Sequence, residues 1–121
     1  MSSNSLDNQI KNKYYLNTAA SLAYKAVSEM KNLTKKLSGK PETAYGLAGL
    51  GDLYVSSAGG RNSKMGYYLG KGHLFKDAKE KFMKEVTVEG ADLAFAIGSK
   101  ILKEFNKEEF PLLLSLSLIH I

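Results

Sequence analysis

With 121 residues and no cysteine, the chain holds at most one domain's worth of sequence, and it excludes both a disulfide framework and a thiolate metal site. Hydrophobic residues at 44% and charged residues at 24% give an ordinary globular composition and set disorder aside. The net charge of +5 implies no specific nucleic-acid partner, because its excess lies in residues 1–40 as scattered lysines and the chain has a single arginine, Arg61.

Residues 1–16 read as a flexible leader, polar and lacking the apolar core of a signal peptide. Together with the missing cysteines, that leader fits a cytoplasmic protein. The segment "NTAASLAYKAVSEMKNLTKKL" follows, from residue 17 to residue 37. Its Ala19, Leu22, Ala23, Ala26, Val27, Met30, Leu33 and Leu37 fall at three- and four-residue steps and predict one helix with an apolar stripe. Asn17 suits its N-cap, and Ser38-Gly39 its stop. Pro41 suits the first turn of a second helix, expected from Glu42 to about Val55. "SSAGGR" reads as a turn, with a short helix from Asn62 to Leu69 behind it, closed by Gly70 and Gly72. A fourth amphipathic helix carries Phe75, Ala78 and Phe82 on one face. A fifth places Ala94, Ile97, Ile101 and Phe105 on a stripe, and Pro111 ends it or opens another. The closing "FPLLLSLSLIHI" is too short and too serine-interrupted to span a bilayer. No period-two alternation and no internal repeat occurs. The expected fold is all-α, a bundle-like set of five or six helices.

Chemistry is sparse. His73 and His120 have no metal-ligand spacing around them, so no metal residue is assigned. "GYYLGKG" is one residue short of a phosphate loop and has no strand before it. "GLAGLG" has the wrong glycine spacing for a dinucleotide fingerprint. "GGRNSK" is more informative. Gly59 and Gly60 permit positive φ, and Arg61 and Asn62 then open a helix whose free N–H groups and dipole favour an anion. The guanidinium adds a fork of donors suited to phosphate oxygens. Asp52 stands on an otherwise apolar, small-residue helix and calls for a cation or a polyol hydroxyl. An ordinary turn and capping sequence, with Asp52 at a solvent edge, accounts for the same residues.

Four segments resemble one family. "NTAASLAYKAVSEM", "GLAGLGDL", "GGRNSKMGYYLGKG" and "VTVEG" are similar, in order and spacing across residues 17–111, to the C-terminal helical domain of bacterial-type NAD(P)-dependent glycerol-3-phosphate dehydrogenase. The resemblance implies an all-α fold like the C-terminal domains of 6-phosphogluconate and glycerol-3-phosphate dehydrogenases. It further implies interconversion of glycerol 3-phosphate and dihydroxyacetone phosphate with NAD or NADP. On matching positions, Asp52 meets the polyol end of the substrate, and Gly60, Arg61 and Asn62 meet its phosphate. Arg61, Thr87 and Glu89 meet the cofactor.

The family's Rossmann half and its "LKN" general-base lysine have no counterpart here. Lys11, Lys13 and Lys25 lack the matching context, so no catalytic residue is assigned. The gap between Asp52 and Arg61 is shorter than in many bacterial members. After residue 111 the sequence departs from the family, and 112–121 reads as an atypical tail, as a truncated or out-of-frame end would produce. The expectation is therefore part of an oxidoreductase, inactive alone, with a Rossmann-domain chain or self-association covering its unpartnered apolar stripes. A noncatalytic phosphate-ligand-binding helical module is the alternative, and a basic nucleic-acid binder a weaker one.

Overall fold

The computed structural model describes residues 15–119. Lys11, Lys13, His120 and all but the last two residues of the expected leader lie outside them. The described residues contain helices and turns and no strand. Helix α1 spans Leu16–Lys36, followed by a 3₁₀ turn at Pro41–Tyr45 and a π turn at Leu47–Gly51. Helices α2 (Asp52–Ala58), α3 (Arg61–Gly70), α4 (Phe75–Phe82), α5 (Glu89–Glu104) and α6 (Pro111–Leu116) follow among the described residues.

Helix α1 begins earlier than its sequence suggests. Its N-cap is Tyr15, not Asn17; Asn17 sits inside the first turn, where its carbonyl accepts a hydrogen bond from the Ser21 hydroxyl. The stop comes at the expected place by an unexpected residue. Ser38 takes the left-handed conformation, φ 64°. Its N–H donates to Lys35 O at 3.0 Å, and that of Gly39 to Thr34 O at 2.8 Å, which is the paired Schellman closure of a helix end. A side chain in that conformation costs about 1 kcal/mol that glycine avoids. Ser38→Gly is therefore expected to raise stability by about 0.5–1 kcal/mol, read as a higher urea midpoint.

The expected second helix is instead three pieces. Gly46 adopts an extended conformation, φ −88° and ψ −166°, and interrupts the helical path. The π turn then folds back on the 3₁₀ turn so closely that a Cβ on Gly49 would lie 2.6 Å from both the carbonyl carbon and the Cα of Ala44. Only after that contact does regular helix begin, at Asp52, and it continues through Ser56, Ser57 and Ala58. The turn proper is just Gly59-Gly60. Of these two, Gly60 alone is left-handed, φ 125°, whereas Gly59 is extended at φ 176°.

The core is small and lies in two parts. Met65, Ala78, Met83, Val88 and Ala91 are buried together where α3, α4 and α5 meet. Helix α4 ends at Phe82, so Met83 turns inward to fill this core. Phe82, expected on the buried face, is 43% exposed and stacks on Tyr68, with ring centroids 4.4 Å apart. Similarly, α5 buries Ala91, Ala94, Gly98 and Ile101, leaving Ile97 outside. The second part joins α1, α5 and α6. Phe110 is fully buried there and meets Phe105 edge-on at 4.8 Å, and shares a cavity wall with Ala26, Met30 and Leu33 of α1.

Pro111 opens α6 at its first position, where its missing N–H costs nothing. The next two donors, Leu112 N–H and Leu113 N–H, reach the two carboxylate oxygens of buried Glu29 at 2.8 and 2.9 Å. This acid on α1 serves as the cap that Phe110 cannot be. The first half of the α1 stripe finds no cover among the described residues: Ala19, Leu22 and Ala23 stand exposed.

Candidate functional site

The residues singled out around "GGRNSK" gather where α3 and α5 begin. Gly60 is the N-cap of α3 and, having no side chain, leaves its first turn without a side-chain cap. The left-handed φ of Gly60 turns the chain so that Arg61 and Asn62 occupy the first two helical positions. Both reach across to the start of α5. The Arg61 guanidinium donates through Nη2 to Glu89 Oε1 at 2.5 Å. One residue further along each helix, Gly90 N–H donates to Asn62 Oδ1 at 3.1 Å. Asn62 thereby supplies the cap that Val88 lacks. Two consecutive residues of one helix start thus hold two consecutive residues of the other.

The ion pair is open to water, with side chains 53% and 66% exposed. Such a pair contributes little to stability, on the order of 0–1 kcal/mol. Asn62 also lines a largely apolar cavity of about 290 Å³ with Met65, Leu69, Ala91, Leu116 and Ile119. The donors at this spot suit an anion, and the carboxylate beside them is the exception.

The other two candidates lie elsewhere or contribute nothing visible. Thr87 is exposed in the irregular stretch just before α5. Asp52 is exposed in the first turn of α2, and its carboxylate has neither an ion pair nor a hydrogen bond among the described residues. It is Glu89, not Asp52, that meets Arg61. Two positioning residues give little signal in the sequence, Gly90 at this site and Glu29 away from it at the start of α6. Gly90 acts through its backbone N–H, which no side-chain pattern reports. Glu29 is an acid flanked by Val27 and Met30 of the apolar stripe, and that placement was its one visible signal. No group of three or more His, Asp or Glu among the described residues could hold a metal ion, and no described helix is long and apolar enough to cross a membrane.

Residues 10–120 match the family model described as NAD-dependent glycerol-3-phosphate dehydrogenase C-terminus. The chain belongs to this family. It is 40% identical over 96 residues to the NADP(+)-dependent glycerol-3-phosphate dehydrogenase of Archaeoglobus fulgidus, covering 75% of this chain and 29% of that protein. To the glycerol-3-phosphate dehydrogenase (NAD(P)+) of Chlamydia pneumoniae it is 42% identical over 82 residues, 66% of this chain and 24% of the relative. The enzyme of the same name from Clostridium acetobutylicum is 43% identical over 67 residues, 54% of this chain and 20% of the relative. The chain therefore spans less than a third of the length of these glycerol-3-phosphate dehydrogenases. No solved structure matches it. The all-α architecture agrees with the domain that the family model describes.

Proposed function

We propose that this chain contributes the phosphate-holding side of the substrate site of an NAD(P)-dependent glycerol-3-phosphate dehydrogenase. Gly60, Arg61 and Asn62 would receive the phosphate of glycerol 3-phosphate or dihydroxyacetone phosphate. Asp52 would face the polyol end. Arg61, Thr87 and Glu89 would border the nicotinamide cofactor, all three being exposed and thus within reach of a ligand. Bound NAD(P) supplies the hydride acceptor or donor; the residues of this chain orient the substrate. A Rossmann-type nucleotide-binding part and a general-base lysine would come from elsewhere.

One observation carries this reading. An arginine and an asparagine stand side by side at a helix start with no side-chain cap, with Asn62 oriented through its oxygen by Gly90 N–H, and donors gathered at a helix start favour an anion.

Two measurements test it. The purified 121-residue chain is expected to transfer no hydride from glycerol 3-phosphate to NAD, and appearance of reduced nicotinamide would defeat that expectation. Titration with glycerol 3-phosphate is expected to shift the Arg61 and Asn62 amide signals in NMR spectra. Arg61→Gln should then weaken binding about tenfold or more, since a charge-assisted bond is lost. Silence of those amides at millimolar ligand would remove the phosphate site.

Asp52 has no ion pair or hydrogen bond among the described residues and none to the Arg61–Asn62 pair, so a second reading is a noncatalytic module that keeps the phosphate seat alone. Asp52→Asn separates the two: it weakens glycerol 3-phosphate binding in the first reading and leaves it unchanged in the second.

A further inference from the structure

Arg61 and Asn62 are each held by a residue at the start of α5, but the two holders differ in charge. Gly90 presents a donor to Asn62 Oδ1. This fixes the carboxamide, because the oxygen is committed to Gly90 and the NH₂ end faces away from it. That NH₂ makes no hydrogen bond among the described residues, so it remains a donor for a ligand. Glu89 presents a carboxylate to Arg61. A full negative charge beside the guanidinium is the opposite of what an incoming phosphate requires.

We propose that Glu89 is a built-in brake on anion binding: its carboxylate occupies part of the guanidinium that a phosphate ester uses. This rests on the reading of Arg61 and Asn62 as a phosphate seat. The carboxylate engages Nη2, whereas a guanidinium carries five N–H donors. A phosphate must therefore displace Glu89 or settle on the remaining donors with a like charge beside it. Both routes work against the ligand and have the same sign. Exposure of both side chains makes the opposition modest and dependent on salt.

The experiment uses the whole chain at low ionic strength, titrated with inorganic phosphate and separately with glycerol 3-phosphate. The Asn62 side-chain NH₂ signal is the readout. Glu89→Gln keeps the shape and removes the charge. It should tighten phosphate binding about two- to fivefold, the range that an exposed charge pair is worth, and added salt should shrink the gain. Asp92→Asn controls for net charge and for the helix dipole, because Asp92 is the other acid in the first turn of α5. It should change affinity less than Glu89→Gln does. Binding by the unaltered chain with no gain in Glu89→Gln overturns the brake and leaves the seat intact. An equal gain in Asp92→Asn also overturns it, by making the effect one of overall charge. Failure of both the unaltered chain and Glu89→Gln to bind at millimolar ligand overturns the seat and the brake together. Binding by Glu89→Gln alone supports both.

Discussion

Glu29→Ala is expected to lower the unfolding free energy by about 3 kcal/mol, measured as a large fall in the urea midpoint with helical circular dichroism as the probe. The carboxylate is only 6% exposed, and both of its oxygens are engaged by α6. Pro111 has no N–H, so Leu112 and Leu113 carry the first donors of that helix that need an acceptor. Alanine leaves both without one in a partly buried setting, at about 1–3 kcal/mol each when water cannot fully replace the carboxylate. The negative charge also faces the positive end of α6, adding a few tenths of a kcal/mol or more. Glu29→Gln retains one carbonyl oxygen and should lose roughly half as much. A loss under about 1 kcal/mol in Glu29→Ala would show that solvent already satisfies these groups.

Gly49→Ala should cost a comparable amount, about 3 kcal/mol or more, because the added methyl meets backbone rather than a yielding side chain. Its Cβ would fall 2.6 Å from the Ala44 carbonyl carbon and Cα. Neither rotamer change nor side-chain repacking relieves such a clash; the 3₁₀ and π turns would have to separate. Gly66→Ala is the control. Nothing stands within 4 Å of a Cβ there, and the position lies inside α3, so alanine should stabilise by up to about 1 kcal/mol. Thermal melts of the two variants should therefore move in opposite directions. Similar melts would mean that the turns are loosely held.

Much of the helical layout was legible because its signals are local. The Phe75–Phe82 helix and the Glu89–Glu104 helix announce themselves by apolar spacing, and Pro111 marks the next start. Where the second expected helix breaks, the cause is the approach of Gly49 to Ala44; helical periodicity continues through the sequence there and cannot report it. The stripes also misled in detail. Phe82 and Ile97 lie at the edges of their helices' buried faces, where one residue of phase decides between core and solvent. At the site, the helix-opening Gly60-Arg61-Asn62 is readable from backbone chemistry alone. Glu89 entered only through a family resemblance, and its pairing with Arg61 spans 28 residues, a distance over which spacing carries no information.

The ends of α5 and α6 are finished by Asn62 and Glu29, residues 28 and at least 83 positions upstream. At six residues, α6 is far below the length at which an isolated helix holds in water. A synthetic peptide of this last segment should consequently be a coil. During synthesis Glu29 must wait for at least 83 further residues before its partner arrives. Closure of α6 onto α1 then becomes a late, long-range step with a large loop entropy to overcome, and in reverse it is the first place at which the molecule should come apart.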